Sequence, residues 1–274
     1  MTTIKVNIMQ VTVQGARIFY HERGTGATTL FLHGVPDSAE LWTPIINRLE
    51  TKFRCIALDL PGLTTRSERP NDFDFTLPSM AKFIDDFVTA LGINEPINLV
   101  FADFGALYGL AWAITYSNKV RKMALAGSVG FSPDYEWHQD AKMWRTPLLG
   151  ELLMMSMTES MFQGAMKQAA PSLTPEYWHA VLGRSMASRE VKRNILRQYR
   201  AIDTKIYAEW EPKLLELTKR VPMMVLWGDR DAFISRSFAD RFGAREVHHY
   251  AEYGHWIAAE AVDEVASKLE YFLA

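Results

Sequence analysis

The sequence predicts an α/β fold, with a mostly parallel central sheet flanked by helices and a helical cap inserted before the last strands. Three observations carry this. Apolar runs of strand length recur at Thr29 to Leu32, Phe53 to Leu58, Ile97 to Phe101, Lys122 to Ala126, Met223 to Trp227 and Glu246 to Tyr250. Runs of this kind, with little polar alternation, suit strands buried on both faces. Most are separated by segments of helical apolar spacing, the alternation that builds a parallel sheet. Between about Phe131 and Pro222 the strand signal disappears, and a stretch rich in Met, Trp and charged residues replaces it.

In chain order, Ile4 to Val13 and Ala16 to His21 alternate in polarity on either side of Gly15, and read as an opening antiparallel hairpin. The helical spacings fall around 42 to 50, 79 to 92 and 105 to 116, with Met80, Ile84, Phe87 and Leu91 on one face. These helices are expected to cover the sheet. Residues 1–130 and 223–274 are expected to form the core domain and 131–222 the cap, which includes the apolar run from Leu148 to Met155. Methionine is flexible and polarizable, so the cap methionines suit helix packing and, for some, a lid that adapts to varied substrates.

With 274 residues, 48% of them hydrophobic, the chain can bury roughly 70 to 75% of the surface it exposes when unfolded, enough for a large core. Its single cysteine, Cys55, lies in an apolar strand and is expected to be a buried structural thiol. The net charge of −2, spread along the chain, gives no reason to expect nucleic acid or an anionic membrane as a partner. The first residues, Met1 to Val6, lack the pattern of a signal peptide, and no apolar run approaches the ~20 residues that span a bilayer. The expectation is a cytoplasmic enzyme, monomer or homodimer, that needs no cofactor and takes a small apolar molecule.

The chemistry lies in short motifs at strand ends. Directly after Ile97 to Val100 comes Phe101-Ala102-Asp103-Phe104-Gly105-Ala106, with a carboxylate at the turn from strand to helix. Such an aspartate can be a helix N-cap. Here the small neighbours suit a sharp elbow that projects its central residue away from the sheet, and Asp tolerates the strained backbone this requires. Phe101 is the misfit, since a small residue is expected at its place. An aspartate is ionised at neutral pH and can attack an sp3 carbon directly, giving an alkyl ester, which points to epoxides or alkyl halides.

His33-Gly34-Val35-Pro36 forms a tight turn whose amides can face a pocket, Gly34 permitting close approach. Trp227-Gly228-Asp229-Arg230-Asp231 follows a strand, and Asp231, further into the loop, is better placed than Asp229 to reach a histidine. Asp229 is expected to cap the turn or pair with Arg230. Tyr253-Gly254-His255-Trp256 follows the last strand and offers His255 as the base. His248 and His249 are adjacent on a strand, so they point to opposite faces and are a poor metal pair; no metal is expected.

These motifs resemble the Asp-nucleophile branch of the α/β-hydrolase superfamily, which holds haloalkane dehalogenases and epoxide hydrolases. The likeness runs through His33-Gly34-Val35-Pro36, Asp59-Leu60-Pro61-Gly62, the elbow at Asp103, Trp227 to Asp231, and Gly254-His255-Trp256. The chain order Asp103, Asp231, His255 is the family's order of nucleophile, acid and histidine. The resemblance implies that Asp103 attacks the substrate carbon. His255, oriented by Asp231, then draws a proton from water, while the amides of Val35 and Phe104 form the oxyanion hole.

The leaving group separates the substrate classes. In the resemblance, halide is held by a tryptophan directly after the nucleophile and a second Trp or Asn, yet this chain has Phe104 and Val35, and a phenyl ring donates no hydrogen bond. Fluoroacetate-type chemistry implies an arginine after the nucleophile, which is also absent. Epoxide hydrolases protonate the opened alkoxide with cap tyrosines, and Gln198-Tyr199-Arg200-Ala201 resembles the segment carrying one of them. Tyr199 is therefore the candidate acid. A second acid is not placed by the sequence, where Tyr135 comes early in the cap and Trp137, His138 and Trp144 fill the expected region. His33, Trp137, Trp144 and Trp256 are expected against the substrate. Epoxide opening leads, a dehalogenase using Trp137 or Trp144 for halide follows, and a catalytically silent scaffold binding an apolar ligand is the rival of another class.

Overall fold

The computed structural model describes residues 8–274. The N-terminal part of the expected hairpin, residues 4–7, and the segment Met1 to Val6 lie outside the described residues. The strands are β1 (Ile8–Val13), β2 (Ala16–Arg23), β3 (Ala27–Leu32), β4 (Phe53–Leu58), β5 (Ile97–Phe101), β6 (Val120–Ala126), β7 (Met223–Gly228) and β8 (Glu246–Tyr250). They form one sheet in the order β1-β2-β4-β3-β5-β6-β7-β8. The β1–β2 and β2–β4 pairs are antiparallel, and every later pair is parallel.

Because side chains alternate along a strand, each buried strand serves two cores. Leu30, Leu32, Leu99, Phe101, Met123 and Leu125 face one side, packed with α2 (Leu77–Ala90) and α3 (Asp103–Thr115). Phe31, Cys55, Val100, Ala124 and Leu226 face the other, in a second cluster with residues of α1 (Thr43–Leu49). There Cys55 is fully buried, and burial pushes its thiol up to about 12.

The elbow depends on glycine. A Cβ at Gly105 would lie 2.4 Å from the carbonyl oxygens of Leu32 and His33, so only glycine lets α3 approach β3 this closely. One turn on, a Cβ at Gly109 would lie 2.5 Å from the Phe101 ring. That gap is where Phe101, fully buried, puts its side chain, and so a large residue is accommodated before the elbow.

Between β6 and β7 the chain forms α4 (Gln139–Arg145), α5 (Leu149–Ser156), α6 (Glu159–Ala169), α7 (Pro175–Ser185), α8 (Arg189–Ala201) and α9 (Tyr207–Thr218). Side-chain caps start α4, α6, α7 and α8, where His138, Thr158, Thr174 and Ser188 each accept a first-turn amide. In this insertion α4, α5 and α8 pack on one another, and α6 on α7, whereas α9 packs against α3. The chain closes with α10 (Ile257–Glu260) and α11 (Val262–Leu273), the latter against α1. Among the described residues no helix is long and apolar enough to cross a membrane.

Candidate active site

Five loops leave the carboxyl ends of the parallel strands and converge: Val35 after β3, Asp103 after β5, Ser128 after β6, Asp231 after β7 and His255 after β8. This edge of an open α/β sheet is where ligands bind in such folds. Asp103 opens α3 with a backbone φ of +48°, in the left-handed region that few side chains other than Asp and Asn enter readily. The strain belongs to the turn that lifts its carboxylate off the sheet.

His255 joins the two carboxylates. Its Nδ1 lies 2.7 Å from Asp231 Oδ2, and its Nε2 lies 3.5 Å from Asp103 Oδ2. The side chain of Asp231 is only 1% exposed. Its Oδ1 accepts the amides of Phe233 at 2.6 Å and Ile234 at 2.9 Å, and Ser128 Oγ donates to Oδ2. Burial opposes the Asp231 charge, but the facing His255 and these donors hold its pKa below the usual carboxylate value. For His255 burial works in the opposite direction, pulling the imidazole down. The charge of Asp231 and the hydrogen bonds to both carboxylates outweigh that and hold it up, at about 10.

Asp103 Oδ1 accepts the amide of Val35 at 2.8 Å. A Cβ at Gly34 would lie 2.3 Å from the Asp103 side chain, so the turn touches the carboxylate only because residue 34 is glycine. Phe104 is the second residue of α3, where an amide has no carbonyl one turn earlier in its helix to bond. The Val35 amide thus touches the Asp103 carboxyl, and the Phe104 amide follows it directly in the chain.

His33 is a correction. It was expected against the substrate, but it is fully buried and lies outside the cavity lining. Its Nδ1 is 2.7 Å from Gly34 O, and its Nε2 accepts the amide of Leu60 at 3.0 Å, which requires the proton on Nδ1. Burial pulls its pKa down and keeps it neutral for this arrangement. Its work is to tie the His33-Gly34-Val35-Pro36 turn to the Asp59-Leu60-Pro61-Gly62 loop, where Asp59 in turn accepts the amide of Ala39.

Asp103 and His255 open into a cavity of about 260 Å³ between the strand ends and the inserted helices. Tyr199, Trp137, Trp144 and Trp256 all line it, and so do six methionines: Met143, Met154, Met157, Met161, Met166 and Met186. The Phe104 ring forms the wall beside Asp103, edge-on to Tyr199 at 4.7 Å and stacked on Trp137 at 6.0 Å. The Nε1 of Trp256 is occupied, donating to the buried Asp37 at 2.9 Å. That of Trp137 is buried with no partner among the described residues.

Sequence reasoning did not place Tyr135, yet it lines the same cavity as Tyr199. Its ring occupies the space a side chain at residue 130 would need, since a Cβ at Gly130 would lie 2.1 Å from it. Burial first, then the Asp103 charge, pushes both phenols above their ordinary range, so both remain protonated donors. Gly130 just after a strand end was the available signal, too weak alone to fix a residue five positions on. Ser128 was also missed, because no motif surrounds it.

Asp229 is a second correction. It pairs with Arg236 at 3.0 Å and with His249 at 2.7 Å rather than with Arg230. His248 instead contacts Glu246 at 3.1 Å. Among the described residues no cluster of His, Cys, Asp and Glu could hold a metal ion.

A nucleophile-type elbow, a His–Asp pair across from it and a helical insertion over the strand ends define a hydrolase of the α/β class. The chain belongs to the alpha/beta hydrolase fold family, which matches it over residues 29–262. A cis-3-alkyl-4-alkyloxetan-2-one decarboxylase of Shewanella oneidensis is 23% identical over 94% of this chain and 86% of its own. Haloalkane dehalogenase 2 of Mycobacterium bovis is 27% identical over 92% of this chain and 90% of its own. Among solved structures, the Cif epoxide hydrolase of Acinetobacter nosocomialis superposes with a TM-score of 0.83 at 18% identity, over 100% of this chain and 91% of that one, a likeness of fold. The protein is an α/β-fold hydrolase, similar in sequence to the decarboxylase and the dehalogenase.

Proposed function

We propose that the protein opens an epoxide on an apolar substrate through a covalent ester at Asp103, with residues 131–222 acting as a cap over the site. The observation that carries this reading is the line Asp103–His255–Asp231, in which an aspartate occupies the elbow and one histidine reaches both carboxylates. Asp103 Oδ2 attacks a ring carbon, the C–O bond breaks, and a phenol proton from Tyr199 or Tyr135 passes to the departing oxygen. The product is a hydroxyalkyl ester of Asp103. His255, charged at rest, returns a proton to the tyrosinate; its Nε2 then takes a proton from water, whose oxygen adds to the ester carbonyl. The Val35 and Phe104 amides hold the resulting oxyanion until it collapses to free Asp103, the departing alkoxide taking the proton of the added hydroxyl to give the diol.

The tyrosines favour an epoxide, because an alkoxide is too basic to leave unprotonated, while halide needs no proton. The unpartnered Nε1 of Trp137 favours a second reading, in which it donates to a halide leaving group. Both readings share the alkyl-enzyme, so His255→Gln, lacking the base, is expected to trap it. Incubated with styrene oxide and separately with 1-bromobutane, the variant is weighed intact. Gain of the whole epoxide mass supports the first reading, and gain of the butyl group alone supports the second. If neither adds mass at Asp103, the covalent mechanism is wrong.

A further inference from the structure

Ser128, two residues beyond β6, is 1% exposed and has no part in the mechanism above. Its Oγ donates to Asp231 Oδ2 and stands 2.8 Å from His255 Nδ1, while Nδ1 is 2.7 Å from that same Oδ2. Hydroxyl, carboxylate oxygen and ring nitrogen close a triangle. Resting on the reading of Asp103, His255 and Asp231 as a catalytic set, we propose that Ser128 is a positioning residue that fixes the proton of His255 on Nδ1 and restrains the basicity of Asp231.

The hydrogen count gives the reason. A serine hydroxyl has one proton, and beside an ionised carboxylate it goes to Oδ2. Only lone pairs of Oγ then face Nδ1. With acceptors at both Oγ and Oδ2, Nδ1 has to carry a hydrogen, which leaves Nε2 as the basic atom directed at Asp103 and its ester. The same donation is charge-assisted. Together with the two amides on Oδ1 it spreads the negative charge of Asp231, so the imidazolium is held less tightly and gives back its proton more readily.

The titratable groups around His255 come from several elements. Asp231 lies after β7 and Asp103 on α3, His138 precedes α4, and Tyr135 and Tyr199 line the cavity. Of these groups facing His255, Asp231 is the one hydrogen-bonded to Ser128. Removing the hydroxyl leaves Asp231 a stronger partner for the imidazolium. His255 should therefore titrate higher, and the step that needs it neutral, hydrolysis of the ester, should slow. Attack by Asp103 needs no base and should continue at its former rate.

The test compares native protein, Ser128→Ala and Ser128→Thr by two readouts: rapid-quench intact mass with styrene oxide, and nitrogen-15 NMR titration of the His255 ring in the absence of substrate. For Ser128→Ala the adduct is expected to form at the native rate and persist about threefold longer, the loss of neutral imidazole that a half-unit rise in its titration produces. The ring is expected to titrate roughly half a pH unit higher. Ser128→Thr, which keeps the hydroxyl, should return both toward native values. A ring titration unchanged in Ser128→Ala, or equal slowing of adduct formation and decay, overturns the positioning role. If the ring shifts but no adduct forms in any protein, His255→Gln included, the role of Ser128 toward the ring stands and the covalent reading of Asp103 fails.

Discussion

His255 Nε2 and Asp103 Oδ2 face one another at 3.5 Å, so that in the proposed mechanism the base of the second step is held by the nucleophile of the first. At rest the charge of Asp231 first, and this contact after it, outweigh burial and keep the imidazole charged, with its pKa near 10. Alkylation turns Asp103 into a neutral ester and removes one of the two carboxylates that hold the proton. Burial still disfavours the cation, so the ring should then lose its proton more easily. On the proposed mechanism the base becomes available only once there is an ester to hydrolyse. Asp103→Asn imitates that neutral state, and the His255 ring in this variant is expected to titrate at least about one pH unit lower than in the native protein. Nitrogen-15 NMR measures it, and an equal or higher value would break the proposed coupling.

The Asp231–His255 pair should also mark the pH profile of stability. The pKa of Asp231 is depressed from 3.8, so its contribution is present above that value and lost as pH falls through the folded pKa. That of His255 is raised from 6.5, so its contribution is full below 6.5 and lost as pH rises toward about 10. Both are complete between about pH 4 and 6.5. Asp231→Asn leaves a buried group without its counter-charge, and breaking such a pair costs about 3 to 5 kcal/mol. In chemical denaturation followed by circular dichroism, the gap between native and variant protein should be widest in that window and narrow on both sides. A constant gap from pH 3 to 10 would contradict the assignment.

Tyr135 and Tyr199 share one cavity but come from different parts of the insertion, the first ahead of α4 and the second on α8. A positioned general acid contributes roughly 10² to 10⁴ in rate. Two acids can substitute for one another in part, so each single change to Phe should slow styrene oxide opening by about ten- to a hundredfold, and the double change by more. Alkylation by 1-bromobutane, which needs no proton, should change less than about threefold in each case. Burst amplitude and rate by rapid quench distinguish the two substrates. Equal losses on both would assign the tyrosines to packing.

Much of this site was legible because its three charged residues each follow an apolar strand within a recognisable turn. A strand end fixes where a side chain emerges, and the residue types then supply the chemistry. What stayed hidden depends on how segments distant in sequence approach each other. His33 reads as a cavity residue until the Leu60 amide is found on its Nε2. Asp229 could reach Arg230 along the chain but meets Arg236 and His249 through the fold of the loop. Ser128 and Tyr135 carry no motif, and only the closing of β6 beside β7 and of the insertion over Asp103 brings them into place.

Phe101 illustrates both sides, since the sequence marks it as out of place and only the packing shows its compensation. Its ring fills the gap that Gly109 leaves on α3, where a Cβ would stand 2.5 Å away. Gly109→Ala would normally favour a helix by about 0.8 to 1.0 kcal/mol. Here overpacking of a fully buried contact should outweigh that gain, with a cost of about 1 to 3 kcal/mol. The expected outcome is a lower melting temperature for Gly109→Ala. Adding Phe101→Leu, which removes ring atoms from the contact, should recover part of the loss, so the two changes should be non-additive in a double-mutant cycle. The elbow lies two residues beyond Phe101, so strain at this contact should also displace Asp103. Alkylation should slow in Gly109→Ala and recover in the double variant. If Gly109→Ala melts higher than the native protein, the glycine is not what accommodates the phenyl ring.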